Sequence, residues 1–127
     1  MPEAIESVTT AALSAALDAA SRRQAVVAAN VANAQTEGYM PLRLSFDAQL
    51  EDARSAVRER GFLDAAGLES LHGLSQIPAE AVAGEAGVQL DAEMGELARN
   101  AVQFQALVQG VARHLSMLAL AAADGRK

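Results

Sequence analysis

The sequence predicts an all-α fold in which long N- and C-terminal helices pair as an antiparallel, coiled-coil-like hairpin, joined by a loop-rich middle with one short helix. Three observations carry that prediction: two apolar seams that alternate steps of four and three residues, an abundance of alanine, and the crowding of glycine and proline between the seams. The chain divides accordingly into an N-terminal axial helix and turn (1–39), a middle segment (40–89) and a C-terminal axial helix (90–127), all parts of one structural unit.

The first seam runs Leu13, Leu17, Ala20, Gln24, Val27, Val31 and Ala34. Its one polar member, Gln24, either fixes register against a partner helix, as buried amides do in coiled coils, or snorkels out of a loosely packed position. Continuing the seam backward would require Thr10 and Glu6, so regular packing should fade there and the extreme N-terminus should fray.

In the middle, Pro41 favours an extended Met40, Phe46 and Leu50 offer apolar anchors, and Glu51–Arg60 has the composition of a short charged helix stopped by Gly61. Gly67, Gly73, Pro78, Gly84 and Gly87 then interrupt every period, so 61–89 reads as mostly loop, with room for short helical or extended pieces.

The second seam is the stronger: Leu90, Met94, Leu97, Ala101, Phe104, Val108, Val111, Leu115, Leu118 and Ala122 are all apolar. A 3.5-residue repeat of that length implies a helix of roughly 48 Å at about 1.5 Å per residue. Asp91 is the expected N-cap. Glu93 and Glu96 complement the positive helix start, Arg113 and His114 lie toward the negative end, and Gly125 supplies the stop.

Composition narrows the functional classes. Of the 127 residues 51% are hydrophobic, but much of that share is alanine and only 3% are aromatic, so the chain buries little area per apolar residue and should be marginal as a lone fold. A net charge of −6, with Arg54, Arg58 and Arg60 interleaved with Asp52 and Glu59, argues against a nucleic-acid partner. There is no cysteine, hence no disulfide framework or thiolate metal site. The acidic start Met1-Pro-Glu-Ala-Ile-Glu is unlike a secretory n-region, and the longest uninterrupted apolar run, Met117–Ala123, is far short of a membrane span, so neither a cleaved signal nor membrane insertion is expected.

No catalytic, metal or cofactor site is legible. There is no phosphate loop, dinucleotide fingerprint, HExxH or nucleophile elbow. His72 and His114 read as surface histidines, and the Glu93/Glu96 pair as first-turn charges. The expectation is a protein that is not an enzyme.

The most informative stretch is Ala28-Ala-Asn30-Val-Ala-Asn33-Ala-Gln-Thr36-Glu-Gly38-Tyr39. Asparagine weakens a helix unless its amide has a partner, so Asn30 and Asn33 need explaining. On the seam grid both lie beside seam residues, on the helix flank. One reading makes Asn33 and Thr36 a cap for the orphan carbonyls, with Gly38 left-handed and Tyr39 covering the turn. The other sends both amides sideways to neighbouring helices.

The string N-V-A-N-A-x-T-x-G-Y resembles the signature of the flagellar rod and hook family of axial proteins. Leu44-Ser45-Phe46, Leu50, Val88-Gln-Leu90-Asp91-Ala-Glu93-Met94-Gly-Glu96-Leu97-Ala98-Arg99-Asn100 and Phe104-Gln105-Ala106-Leu107 are similar to its B-type proximal rod branch; the C-type ends in a similar Glu-Met helix, and Leu97-Ala98-Arg99-Asn100 with Gln105-Ala106-Leu107 looks more like the B-type. Glu37 and Phe104 depart from it, standing where proline and tyrosine are common.

The resemblance implies a structural subunit, exported uncleaved through the flagellar export apparatus and polymerised in the periplasmic rod of the basal body. Its partners would be other copies of itself, other rod proteins and the adaptor joining rod to membrane ring. It further implies that Asn30, Asn33, Asn100 and Gln103 make subunit contacts. A soluble helical-hairpin adaptor or chaperone is the competing expectation.

Overall fold

Alanine-rich sequence and uninterrupted helical period give two helices that dominate the molecule. The computed structural model describes residues 2–82 and 87–126; Gly84 and Lys127 of the sequence reading lie outside them. In order the elements are α1 (Pro2–Ala32), β1 (Leu42–Arg43), α2 (Asp47–Arg60), α3 (Ala65–Gly73), a 3₁₀ turn (Leu74–Gln76), β2 (Glu80–Ala81) and α4 (Leu90–Asp124). At about 1.5 Å per residue α1 extends roughly 46 Å and α4 roughly 52 Å. They run antiparallel, since Asn30 near the end of α1 meets Glu93 at the start of α4, while Asn100 meets Ala20 and Gln24 farther back. The expected all-α hairpin is therefore the fold. The helix of α1 continues to Pro2, past the point where the seam loses its apolar members.

Small side chains let the helices approach. Ala15, Ala19 and Ala20 are buried, and the Asn100 amide reaches the Ala20 carbonyl at 2.9 Å.

The middle segment is more ordered than its glycines suggested. α2 ends as expected at Gly61, whose left-handed backbone (φ 77°) turns its N–H onto the Val57 carbonyl at 2.8 Å. Residues 65–73, within the stretch read as mostly loop, form a short helix. Asp64 caps α3 by accepting from the Gly67 N–H at 2.9 Å, and it also pairs with Arg60. β1 and β2 then form a two-residue antiparallel ladder, Leu42 opposite Ala81 and Arg43 opposite Glu80. The Pro41 carbonyl extends it by accepting from the Val82 N–H at 3.0 Å.

A small apolar core fastens this segment to α1: Ala19, Phe46 and Leu74 are buried, with Leu44, Leu71 and Ile77 packed around them. The Arg23 guanidinium lies 5.0 Å above the Phe46 ring, and Arg22 donates to the Leu74 carbonyl at 3.2 Å. Phe46 is thus the anchor the sequence suggested.

Two details of α4 correct the sequence reading, while Gly125 supplies the stop expected of it. Its N-cap is Gln89, without a side-chain cap bond, and Asp91 sits inside the first turn. Gly125 closes the helix in a right-handed conformation (φ −70°). The largest correction is rotational. Val27 is buried and Leu13, Leu17 and Val31 are half-buried, so the first seam does face the molecule; of the second, Leu97, Val111 and Leu118 are half-buried. Met94 (49%), Phe104 (39%), Val108 (45%) and Leu115 (53%) are substantially exposed. The positions turned inward are Glu93, Leu97, Asn100, Leu107, Val111, His114 and Leu118, of which Glu93 and Asn100 are fully buried and the rest partly so. The hydrogen bonds of Glu93 and Asn100 to α1 fix that rotation, and the apolar stripe goes outward. His114, expected at the surface, has its Nε2 buried without a hydrogen-bond partner.

Truncating Phe46→Ala should cost about 3–5 kcal/mol of unfolding free energy in urea titration. The loss should appear mainly in the protection of α2 and α3 amides from hydrogen exchange, because α1 and α4 keep their own contacts.

Candidate functional site

α1 ends among polar groups that share the load of closing the helix. Asn33 donates from Nδ2 to the Ala29 carbonyl at 2.9 Å and accepts from the Thr36 hydroxyl at 3.3 Å. The Thr36 N–H reaches the Asn33 carbonyl at 2.9 Å, and the Tyr39 N–H reaches Thr36 at 3.2 Å. Gly38 takes the left-handed conformation, φ 75°, that reverses the chain. The capping role for Asn33, Thr36, Gly38 and Tyr39 is therefore present in the structure.

Asn30 is different. It is completely buried, and its amide uses its full capacity inside the subunit. Nδ2 donates to the Leu42 carbonyl (2.9 Å) and to Glu93 Oε2 (3.2 Å). Oδ1 accepts from the Leu42 N–H (2.9 Å) and from the Tyr39 hydroxyl (3.1 Å). A single side chain on α1 thus holds both polar groups of a β1 residue, the aromatic residue of the turn and a carboxylate of α4.

Glu93, 1% exposed, completes the arrangement: its Oε1 pairs with Arg43 Nη2 at 2.5 Å. Arg43 also donates to the Leu42 carbonyl at 3.1 Å. The carboxylate is buried with its charge matched by a guanidinium that remains partly in solvent, which keeps the desolvation cost bearable.

One helical turn beyond Leu97, Asn100 forms the second polar contact between the long helices. Its Nδ2 donates to the Ala20 carbonyl and, at 2.6 Å, to Gln24 Oε1. Gln24 is thereby the register-fixing amide of the two alternatives left open by sequence.

Two of the four expected subunit-contact residues are corrected by this geometry. Asn30 and Asn100 face inward, at 0% and 2% exposure, and donate within the chain, so neither projects from the flank. Asn33 is committed to the cap. Only Gln103 remains exposed. Sequence reasoning missed Glu93 and Arg43 as members of the site. A buried acid one turn into a helix, 63 residues from the asparagine it meets, has no local signature beyond the need of Asn30 for a partner.

The surface beyond this site is apolar rather than reactive. Between Asn100 and Ala112, α4 carries no charged residue, yet Val102, Phe104 and Val108 are exposed, and Leu115, Met117 and Leu120 continue the pattern. By length and composition alone α4 is apolar enough to cross a membrane. Beside it, Ser21, Gln24, Ala25, Ala28, Ala101 and Phe104 line a shallow groove between α1 and α4. Among the described residues no group of three His, Asp or Glu side chains is arranged to hold a metal.

Comparison with known protein families identifies one relationship. Residues 11–39 match the family described as flagella basal body rod protein. The match supports a flagellar basal-body rod family. It covers most of α1 and the turn, including Asn30, Asn33, Thr36, Gly38 and Tyr39, and stops before Arg43 and Glu93. No curated protein and no solved structure matches the chain. A rod family is a structural family of the flagellar basal body, whose members assemble with other rod subunits. The segment that supports it is the one whose amide organises the fold.

Asn30→Ala should lower unfolding free energy by about 3–5 kcal/mol, because the Leu42 N–H loses its partner, the Leu42 carbonyl keeps only Arg43, and Glu93 and the Tyr39 hydroxyl each lose a bond. Glu93→Gln should cost less, about 1–2 kcal/mol, since an amide oxygen can still accept from Asn30 and Arg43 can turn to solvent. Urea titration of both variants checks the order.

Proposed function

We propose that this chain is a B-type proximal rod subunit that polymerises through its terminal helices into the flagellar drive shaft. The observation that carries the reading is the exposed apolar surface of α4. A helix of about 52 Å with a charge-free middle, covered by α1 on one side only, leaves more apolar surface in solvent than a finished monomer ordinarily shows. Lateral packing against other subunits would cover it, and such packing transmits torque because long interdigitated helices resist shear.

The choice of the B-type branch over the C-type rests on Leu97-Ala98-Arg99-Asn100 followed by Gln105-Ala106-Leu107. Of these, Asn100 has a structural task, tying α4 to Ala20 and Gln24. In this reading Gln103 and the outward residues Met94, Val108 and Leu115 meet neighbouring subunits. Export without a cleaved signal, a periplasmic rod location and contact with the adaptor at the membrane ring belong to the same proposal.

A second reading, a soluble adaptor or chaperone, draws on the groove between α1 and α4, which has the shape to hold a partner helix. The two readings differ in what the free chain does. An adaptor would be a stably folded dimer at micromolar concentration, whereas a rod subunit would stay monomeric and protease-sensitive at its termini until assembled.

Val108→Lys and Leu115→Lys provide the test. Both positions are exposed, so the free chain's unfolding free energy should shift by less than about 0.5 kcal/mol. Motility and incorporation into isolated basal bodies should be lost. Normal motility in a strain lacking the chain entirely would refute the rod reading.

A further inference from the structure

The α2–α3 part of the middle segment has a different character from the rest of the surface. α2 and α3 together form an open groove of about 420 Å³ lined by Leu50, Ala53, Val57, Leu63 and Leu71, with Arg54 and Arg58 as its only charged lining residues. Leu50 and Val57 are largely exposed, as is the neighbouring Phe62. Neither arginine forms an ion pair with any described residue, in contrast to Arg43, Arg60 and Arg99. An apolar floor with two unpaired guanidinium groups at its rim suits an amphipathic helix that bears a carboxylate next to its apolar stripe.

The chain itself carries such a helix. At the start of α4, Leu90 and Met94 stand exposed one turn apart, with exposed Asp91 next to them. The arginine on α4 nearest this end, Arg99, is paired with Glu96 at 2.6 Å. Within the subunit Glu93 is buried against Asn30 and Arg43, whereas Leu90, Asp91 and Met94 of the same first turns stay exposed. The other end of α4 is a poorer match. Met117 and Leu120 are exposed there, but Arg113 lies upstream and Arg126 just beyond Asp124, and both would repel Arg54 and Arg58.

We infer that the α2–α3 groove of one copy receives the Leu90–Met94 turn of a second copy, with Asp91 placed between Arg54 and Arg58. Groove and turn are different patches on the same chain, so the contact is head to tail. A contact of that kind continues from copy to copy instead of closing into a dimer, and produces a helical array when its rotation does not close. The inference rests on the rod reading and specifies one of its subunit contacts, on residues outside the segment matched to the rod family.

The natural chain has no cysteine, so introduced pairs report cleanly. In a strain lacking the chain and complemented with the variants, Val57→Cys combined with Met94→Cys should give an oxidised ladder of dimers and higher multimers. Val57→Cys with Met117→Cys should give none. Adding Arg54→Glu and Arg58→Glu should reduce the ladder about tenfold, and further adding Asp91→Arg should restore it. The inference is overturned if the 57/94 pair yields no ladder, if the 57/117 pair links equally well, or if charge reversal has no effect. Those outcomes leave the rod reading standing as long as the null strain is non-motile; a motile null strain removes the rod reading by itself.

Discussion

The buried amide of Asn30 is the constraint on which the rest of the structure depends. An asparagine has two donors and two accepting lone pairs, and here all four are used by groups from three separate elements. No apolar residue could substitute, since the Leu42 N–H would lose its partner and the Leu42 carbonyl would keep only the bond from Arg43. Because the four bonds are directional, they set several things together. They fix where the chain turns after α1, where β1 lies, and which residue of α4 stands opposite the end of α1. Glu93 and Arg43 extend the same network to the charge on α4. A hydrophobic seam supplies attraction without register; this network supplies register.

From that register follows the rotation of α4. With Glu93 and Asn100 both directed at α1, the apolar stripe through Met94, Val108 and Leu115 cannot also face it. The polar contacts thereby leave a subunit whose own core is thin. Buried alanines line α1, and one aromatic ring, Phe46, anchors the middle segment. Such a subunit keeps its largest apolar surface available for neighbours, which is coherent with the rod family to which residues 11–39 match. Internal specificity and external stickiness arise from the same two buried polar residues.

Local signals were legible where the chemistry was local. The helix stop at Gly61, the left-handed Gly38, the Asn33 and Thr36 cap and the anchor at Phe46 each depend on a few consecutive residues, and each is found where the sequence places it. α3 escaped because Gly67 and Gly73 read as breaks. Its signal was Asp64, whose carboxylate accepts from the N–H three residues on and so starts a helix that has low intrinsic propensity. Asn30 stood out as an amide in need of partners, but the partners were assigned to other subunits instead of to Leu42, Tyr39 and Glu93.

By itself the sequence determined the fold class, the positions of the two long helices, the turn that ends the first and the family that its signature resembles, because periodicity, capping and left-handed glycines act over a few residues. Only the tertiary structure decided which way Asn30 and Asn100 point, that Glu93 is a buried partner and Arg43 its counter-charge, and which side of α4 is left for other molecules. Those facts depend on contacts such as Arg43–Glu93, Asn30–Glu93 and Asn100–Ala20, between residues far apart in the chain. Hydrophobic pattern ranks the faces of a helix by apolarity, whereas α4 is oriented by the hydrogen bonds that Glu93 and Asn100 make to α1, even though Asn100 Oδ1 and His114 Nε2 are left unpaired. Where the two criteria conflict, the hydrogen bonds prevail, since an unpaired buried amide or carboxylate costs more than an exposed methionine or valine.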